Sequence, residues 1–334
     1  MRSALEGAAV RVAPSMNAQD VGNTLWAAAK LGWHLGDSDW AMPSVLEGAF
    51  MRVAPSMNAQ NVANSLWALA TLGWQGGEGS MRSALEGAAV RVAPSMKPQG
   101  VANTLWALAT LGWQAGEGPM RSALEGAAVR VAPSMNAQAV ANTLWALATL
   151  GWQANAETAS CFQLHVEALF SDSSLVQLST KTLAQLLQAH LATQFLCLGL
   201  LTLPLPILQL AVEAYRKLAR EVTVSRGQRE VGESLCRLGI SHDLEYITAD
   251  GLFSIDLAIV NRRMALEFDG PSHFTTNTLE PLGHTRLRDR LLSAMGWHVV
   301  PIPFFEWDKL HHPEQMDAYV KHRLLQHAPT PDGA

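Results

Sequence analysis

Three carboxylates stand close together in FSIDLAIVNRRMALEFDGPSHF, residues 253–274: Asp256 in one apolar run, Glu267 and Asp269 at the end of a second, with His273 just beyond. The two runs read as short strands joined by Asn261, Arg262 and Arg263. A strand places alternate side chains on one face, so Glu267 and Asp269 project together, and a paired neighbouring strand brings Asp256 beside them. Three like charges converge only where a cation or a proton is shared, and oxygen donors of this kind suit Mg²⁺ or Mn²⁺. The constellation predicts a metal site held by Asp256, Glu267 and Asp269, with His273 on the next loop. The competing expectation is structural, because Asp-Gly-Pro is also a turn sequence and an acid at a strand end is an ordinary turn former.

The elements that must position these groups form an α/β pattern: a helix near 228–238, strands near 244–247, 252–259 and 263–268, a helix over 285–295 and a strand at 298–302. The second helix carries Arg286, Arg288 and Arg290, which can face phosphate or simply form a solvated helix face. His311-His312 runs into a proline without metal-ligand spacing and reads as loop.

The N-terminal half is built differently. LEGAAVRVAPSMNAQ starts at Leu5 and returns, slightly altered, at Leu46, Leu85 and Leu124, and a Leu-Trp pair recurs at Trp26, Trp67, Trp106 and Trp145. Periods of 41, 39 and 39 residues imply a solenoid or a propeller, and the Ala-, Leu- and Glu-rich composition selects helices. Pro94 and its equivalents end a first helix, and Asn or Lys at 17, 58, 97 and 136 opens a second that is apolar nearly all round and so must lie between neighbours. Each unit is an αα-hairpin.

Such arrays align equivalent residues in rows. Arg11, Arg52, Arg91 and Arg130 give one cation per unit, a row that can track a nucleic-acid backbone. A second row, Arg2, Arg82 and Arg121, has Glu6, Glu86 and Glu125 four residues on and reads as helix-surface ion pairs. Base reading needs positions that vary between otherwise equal units, and Asp20, Asn61, Gly100 and Ala139 are such a set, at the start of the second helix with Gln19, Gln60, Gln99 and Gln138; the alternative is drift after duplication, or at Asp20 a capping box with Asn17.

Composition narrows the partners. Residues 1–152 hold nine basic and nine acidic side chains, the remainder 15 and 20. Nonspecific nucleic-acid binders carry a basic excess, so RNA binding here must rest on a local stripe, and a protein partner competes as the alternative. Three scattered cysteines without a Cys-x-x-Cys pair fit neither a disulfide framework nor a zinc site. No apolar run spans a bilayer, so no membrane insertion is expected. The repeat begins at once, with no secretory signal or transit peptide ahead of it, as in a chain lacking its true start. Phosphate-binding loop, dinucleotide and nucleophile-elbow motifs are missing from the sequence.

Residues 226–325 resemble an RAP domain through IDLAI at 255–259, ALEFDGPSHF at 265–274, TRLRDRLL at 285–292 and GWHVVPIPFFEWDKL at 296–310. The NTLWALATLGW core of the repeats resembles octotricopeptide-type repeats of organellar proteins. This implies an α-solenoid over 1–152, degenerate or connecting helices over 153–223, an RAP domain of restriction-endonuclease-like α/β fold over 224–327, and a tail at 328–334. It also implies an RNA-binding protein of a mitochondrion or chloroplast acting in RNA processing, stability or translation, with single-stranded RNA and ribonucleoprotein partners. In nucleases of that fold carboxylates at the places of Asp256, Glu267 and Asp269 bind a metal that activates water, with His273 placed as an acid or base, making an endoribonuclease the second expectation and a protein scaffold the third. The sequence departs from that pattern at one point: the usual Glu-x-Lys is Glu267-Phe268-Asp269, without the lysine.

Overall fold

The computed structural model describes residues 2–32, 42–75, 80–113, 118–170, 178–221 and 223–327; the expected tail at 328–334 and most of the loops at 75–80 and 114–119 lie outside them. The chain divides into two compact units, Met1–Pro204 with Phe274–Arg286, and Leu205–His273 with Leu287–Ala334.

The first unit is a run of helix pairs: α1 (Arg2–Val12) and α2 (Ala18–Lys30), α3 (Met42–Val53) and α4 (Ala59–Leu72), α5 (Ser80–Val92) and α6 (Pro98–Thr110), α7 (Pro119–Val131) and α8 (Ala137–Leu150), α9 (Ala156–Leu169) and α10 (Thr180–Leu196). Local chemistry sets each boundary in the repeated pairs. The sequence Ala-Pro-Ser forms a one-turn 3-10 helix after each first helix, where proline cannot continue the α-helical ladder. The next asparagine caps the second helix: Asn17, Asn58 and Asn136 accept backbone N–H groups of the first turn. Lys97 makes no side-chain cap, and Pro98 takes the first helical position instead.

The second helices α2, α4, α6, α8 and α10 lie side by side, and the first helices flank one another more loosely. Their seams are filled by Val62, Leu66 and Leu69, by Val101, Leu105 and Leu108, and by Val140, Leu144 and Leu147, all fully buried. Each such side chain contributes about 1.5–3 kcal/mol on burial. Arg52 donates to the carbonyls of Ala13 (3.0 Å) and Met16 (2.8 Å), Arg91 to Ala54 (3.1 Å) and Met57 (2.8 Å), and Arg130 to Ala93 (3.2 Å) and Met96 (2.9 Å). His165 of α9 meets the Met135 carbonyl at 2.9 Å in the same way. Packing and this bond make α9 and α10 a fifth hairpin although the sequence repeat has dissolved there.

The segment Phe274–Arg286 packs within this unit. Thr276 N–H donates to the Gly73 carbonyl at 2.8 Å and Gln75 N–H to Asn277 Oδ1 at 3.1 Å. A Cβ on Gly283 would fall 1.8 Å from the Ala109 carbonyl oxygen, so that close approach requires glycine.

The second unit holds α11 (Leu205–Arg220), α12 (Arg226–Arg237), β1 (Asp243–Ile247), β2 (Ser254–Ile259), β3 (Met264–Asp269), most of α13 (Gly283–Ala294), β4 (His298–Pro303), α14 (Phe304–Trp307) and α15 (Pro313–Gln326). The sheet order is β1-β2-β3-β4, antiparallel except for the parallel β3/β4 pair. Leu257, Ile259, Met264, Leu266, Val300 and Ile302 form a core with Val231 and Leu235 of α12, Trp307 of α14 and Val320 and Leu324 of α15. The alternate residues Asp256, Glu267 and Asp269 therefore belong to the opposite face. The expected strands and helices form within a few residues of their anticipated bounds; α9, α14 and α15 had no anticipated counterpart.

Candidate functional site

The carboxylates converge as the strand alternation requires. β2 pairs antiparallel with β3, and the Phe268 N–H donates to Asp256 Oδ2 at 2.8 Å, tying Asp256 to the strand that carries Glu267 and Asp269. Glu267 is 2% and Asp269 3% exposed, values at which an unpaired charge would not persist.

The cation that relieves this repulsion is a protein side chain. Arg288 of α13 donates to Glu267 and, at 2.6 Å, to the Ser254 carbonyl. Asp269 Oδ1 lies 3.1 Å from His273 Nδ1. Burial pushes Glu267 well above the ordinary carboxylate range against the pull of Arg288, and the charges of Asp256 and Asp269 push it further. Asp256 is also raised, by burial first, with Arg288 and the Phe268 N–H opposing. Asp289, the neighbour of Arg288 on α13, joins the cluster: burial and then the Asp269 charge push it up to about 6. The guanidinium of Arg288 is raised by Glu267 and Asp256, which outweigh its own desolvation, so it stays charged.

Asp256, Glu267 and Asp269 each meet a protein group through one oxygen, whereas Glu267 Oε1 is buried without a hydrogen-bond partner. Among the described residues no group of three His, Cys, Asp or Glu is arranged to hold a metal. In this structure the Arg288 guanidinium stands among the carboxylates expected to hold Mg²⁺ or Mn²⁺, and no hydrolytic step is derived from them. Arg288 stands in charge for the missing lysine, but 21 residues further along the chain and bonded to the acid itself.

A cavity of about 370 Å³ opens beside the cluster, lined by Gln228, Glu245, Ser254, Asp256 and Arg288 with Tyr215 and Phe253. Glu245 is held at φ 48° in the left-handed region and accepts from Gln228 Nε2 (3.1 Å) and Ser254 Oγ (2.8 Å).

The other arginines of α13 are also engaged. Arg286 donates to the Pro281 carbonyl and to Glu280, each at 2.9 Å. Arg290 is half-buried, and desolvation lowers its pKa. Neither a phosphate-facing row nor a freely solvated face describes the three.

In the repeats, three of the four arginines of the row do a structural job, and Arg11 of the first unit is exposed. Arg52, Arg91 and Arg130 tie each hairpin to the one before it. Arg82 pairs with Glu86 (2.8 Å) and Arg121 with Glu125 (2.9 Å), as the four-residue spacing implies. The variable position serves the caps: Asp20 Oδ2 accepts from Asn17 N–H at 3.0 Å and Asn61 Oδ1 from Asn58 N–H at 3.2 Å.

The open stripe of each second helix carries different residues. In α4, between two buried seams, Gln60 is exposed and Asn64 and Trp67 are half-exposed. Gln99, Asn103 and Trp106 occupy the same places in α6, and Gln19, Asn23 and Trp26 in α2, where Trp26 is 43% exposed. No hydrogen bond among the described residues engages the amides of Asn64, Asn103, Gln60 or Gln99. In α8 the set is partly closed by α10: Gln138 bonds to Asn142 and Thr182, and the Trp145 indole donates to Gln188 at 2.8 Å. Lys30 stands 5.5 and 5.1 Å from the Trp26 and Trp67 rings, and Lys181 5.4 Å from Trp106. Sequence reasoning named the Gln row at the start of the second helix but passed over the Asn row because it sought variation, whereas the signal was an amide pair repeated four residues apart inside an otherwise apolar helix.

The C-terminal residues have known relatives. Residues 266–323 match the RAP domain family. The chain is 43% identical over 83 residues to an RAP domain-containing protein, chloroplastic, of Oryza sativa subsp. japonica, covering 25% of this chain and 13% of that protein. It is 32% identical over 66 residues to FAST kinase domain-containing protein 3, mitochondrial, of Homo sapiens, covering 20% of this chain and 10% of that protein. The alignments thus span a small part of either relative.

Proposed function

We propose that this RAP-domain chain is an organellar RNA-binding protein, acting in RNA processing, stability or translation, whose helical repeats hold single-stranded RNA. The observation that carries the proposal is the open stripe of α2, α4 and α6: amides with free donors and acceptors, one indole per helix, and lysines beside the indoles. Amides and aromatic faces on successive helical repeats are the chemistry by which unpaired bases are bound. The RAP match supports the same reading, and relatives named chloroplastic and mitochondrial support an organelle. The mixed sheet with helices α12 and α15 against one face and α13 against the acidic one supports a nuclease-like ancestry for the C-terminal unit. Its arginine-filled acid cluster supports a structural rather than a hydrolytic use of that fold.

The test is fluorescence anisotropy of labelled single-stranded RNA against the whole chain over a salt series, with duplex RNA as the control. Three lysines, Lys30, Lys97 and Lys181, give an expected slope of log K against log salt of about −2, from roughly −0.7 per phosphate on a single strand. Saturable binding with this shallow slope supports the proposal. No binding of single-stranded RNA at any salt would refute it and favour a protein scaffold.

A further inference from the structure

Resting on that reading, we propose that the repeats bind a run of one repeated base, taken one nucleotide per second helix, rather than a mixed sequence. The grooves between these helices are built alike. The α4/α6 groove is lined by Gln60, Asn64, Lys97, Gln99 and Asn103, and the α6/α8 groove by Lys97, Gln99, Asn103, Asn136, Gln138 and Asn142. Their volumes, about 410 and 420 Å³, are nearly equal. Neighbouring packed helices stand about 8–10 Å apart at their axes.

Equal grooves take equal ligands. An amide sets one donor beside one acceptor, and a base edge offers a complementary pair, so Gln and Asn at the same two positions of α2, α4 and α6 impose the same demand at each step, whereas in α8 Gln138 already bonds to Asn142 and Thr182. The position that differs between units gives no alternative code, since Asp20 and Asn61 cap their own helices and Gly100 and Ala139 carry no polar group. The charge of the face fits a phosphate chain. Lys30 and Lys97 are the two lysines of residues 1–152 and both stand on it, whereas Asp20 is the one acid in α2, α4, α6 and α8. The Trp row borders the amides along the same stripe and offers ring faces to the bases.

The experiment compares short single-stranded oligomers of A, of U, of C and of mixed sequence on the whole chain by anisotropy. It adds the double variant Asn64→Ala/Asn103→Ala, its fold checked by circular dichroism. One homopolymer binding about tenfold or more tighter than the mixed oligomer, with that margin lost in the variant and the salt slope kept, is the expected result. Equal affinity for all four oligomers, or a preference the folded variant retains, overturns the uniform-tract inference while leaving RNA binding intact. Absence of binding by every oligomer overturns the function proposed above as well. Should the double variant misfold, the single variant Asn103→Asp replaces it: a carboxylate cannot donate, so the preference must fall there too.

Discussion

Replacing Arg288 by methionine is the sharpest probe of the acid cluster. The guanidinium donates to Glu267 and to the Ser254 carbonyl and lies within electrostatic reach of Asp256 and Asp289, so its loss leaves buried carboxylates without their cation. Removing one partner of a buried pair costs about 3–5 kcal/mol, and the abandoned Ser254 carbonyl adds about 1 kcal/mol. Because the chain has two units, a global melting curve is a poor reporter. Amide exchange in β2 and β3, read by mass spectrometry, follows the local opening. At about tenfold per 1.4 kcal/mol, the resulting loss of about 4–6 kcal/mol should accelerate the exchange of these strands by roughly a thousand-fold to ten-thousand-fold. The double variant Glu267→Leu/Arg288→Met, which removes both charges, should recover most of that protection, since apolar replacement of a whole buried pair is close to neutral. Protection unchanged in Arg288→Met, or no better in the double variant than in the single one, would refute the view that Arg288 neutralises the cluster.

Two further outcomes follow from the same geometry. Asp289 carries its proton in the folded state up to about pH 6 against an ordinary value of 3.8, so its contribution is complete at low pH and is lost as pH rises through about 6. The shift corresponds to about 3 kcal/mol. Asp289→Asn should flatten the fall in β3 protection between pH 4 and 6, and an unchanged profile would contradict the assignment. Arg91→Ala removes both bonds to the Ala54 and Met57 carbonyls. It should lower the urea midpoint of the repeats by an amount equivalent to about 1–3 kcal/mol while leaving the salt slope of RNA binding the same; a slope reduced by about one phosphate would return the arginine to the RNA face.

The sequence by itself determined whatever is local or periodic. Period and composition specified αα-hairpins, Pro94 and Asn58 marked helix ends through backbone chemistry, and strand alternation placed Glu267 beside Asp269 with Asp256 opposite. Helix-surface spacing likewise paired Arg82 with Glu86. Tertiary structure decided where charges are neutralised and which faces stay open. Whether a carboxylate cluster holds a metal or an arginine depends on a helix that returns to the sheet from 21 residues away, and no spacing rule contains that distance. The Arg52 row resembled a phosphate track until packing set it against the carbonyls of the preceding hairpin. The array outlasts its own sequence repeat at α9 and α10, because apolar seams and a few polar ties, at His165, Gln138 and Trp145, suffice to dock a hairpin. The Asn64 row, and the openness of the Gln60 row beside it, emerged only when neighbouring helices buried everything else around them: exposure is a property of the assembled layer, and a single helix does not encode it.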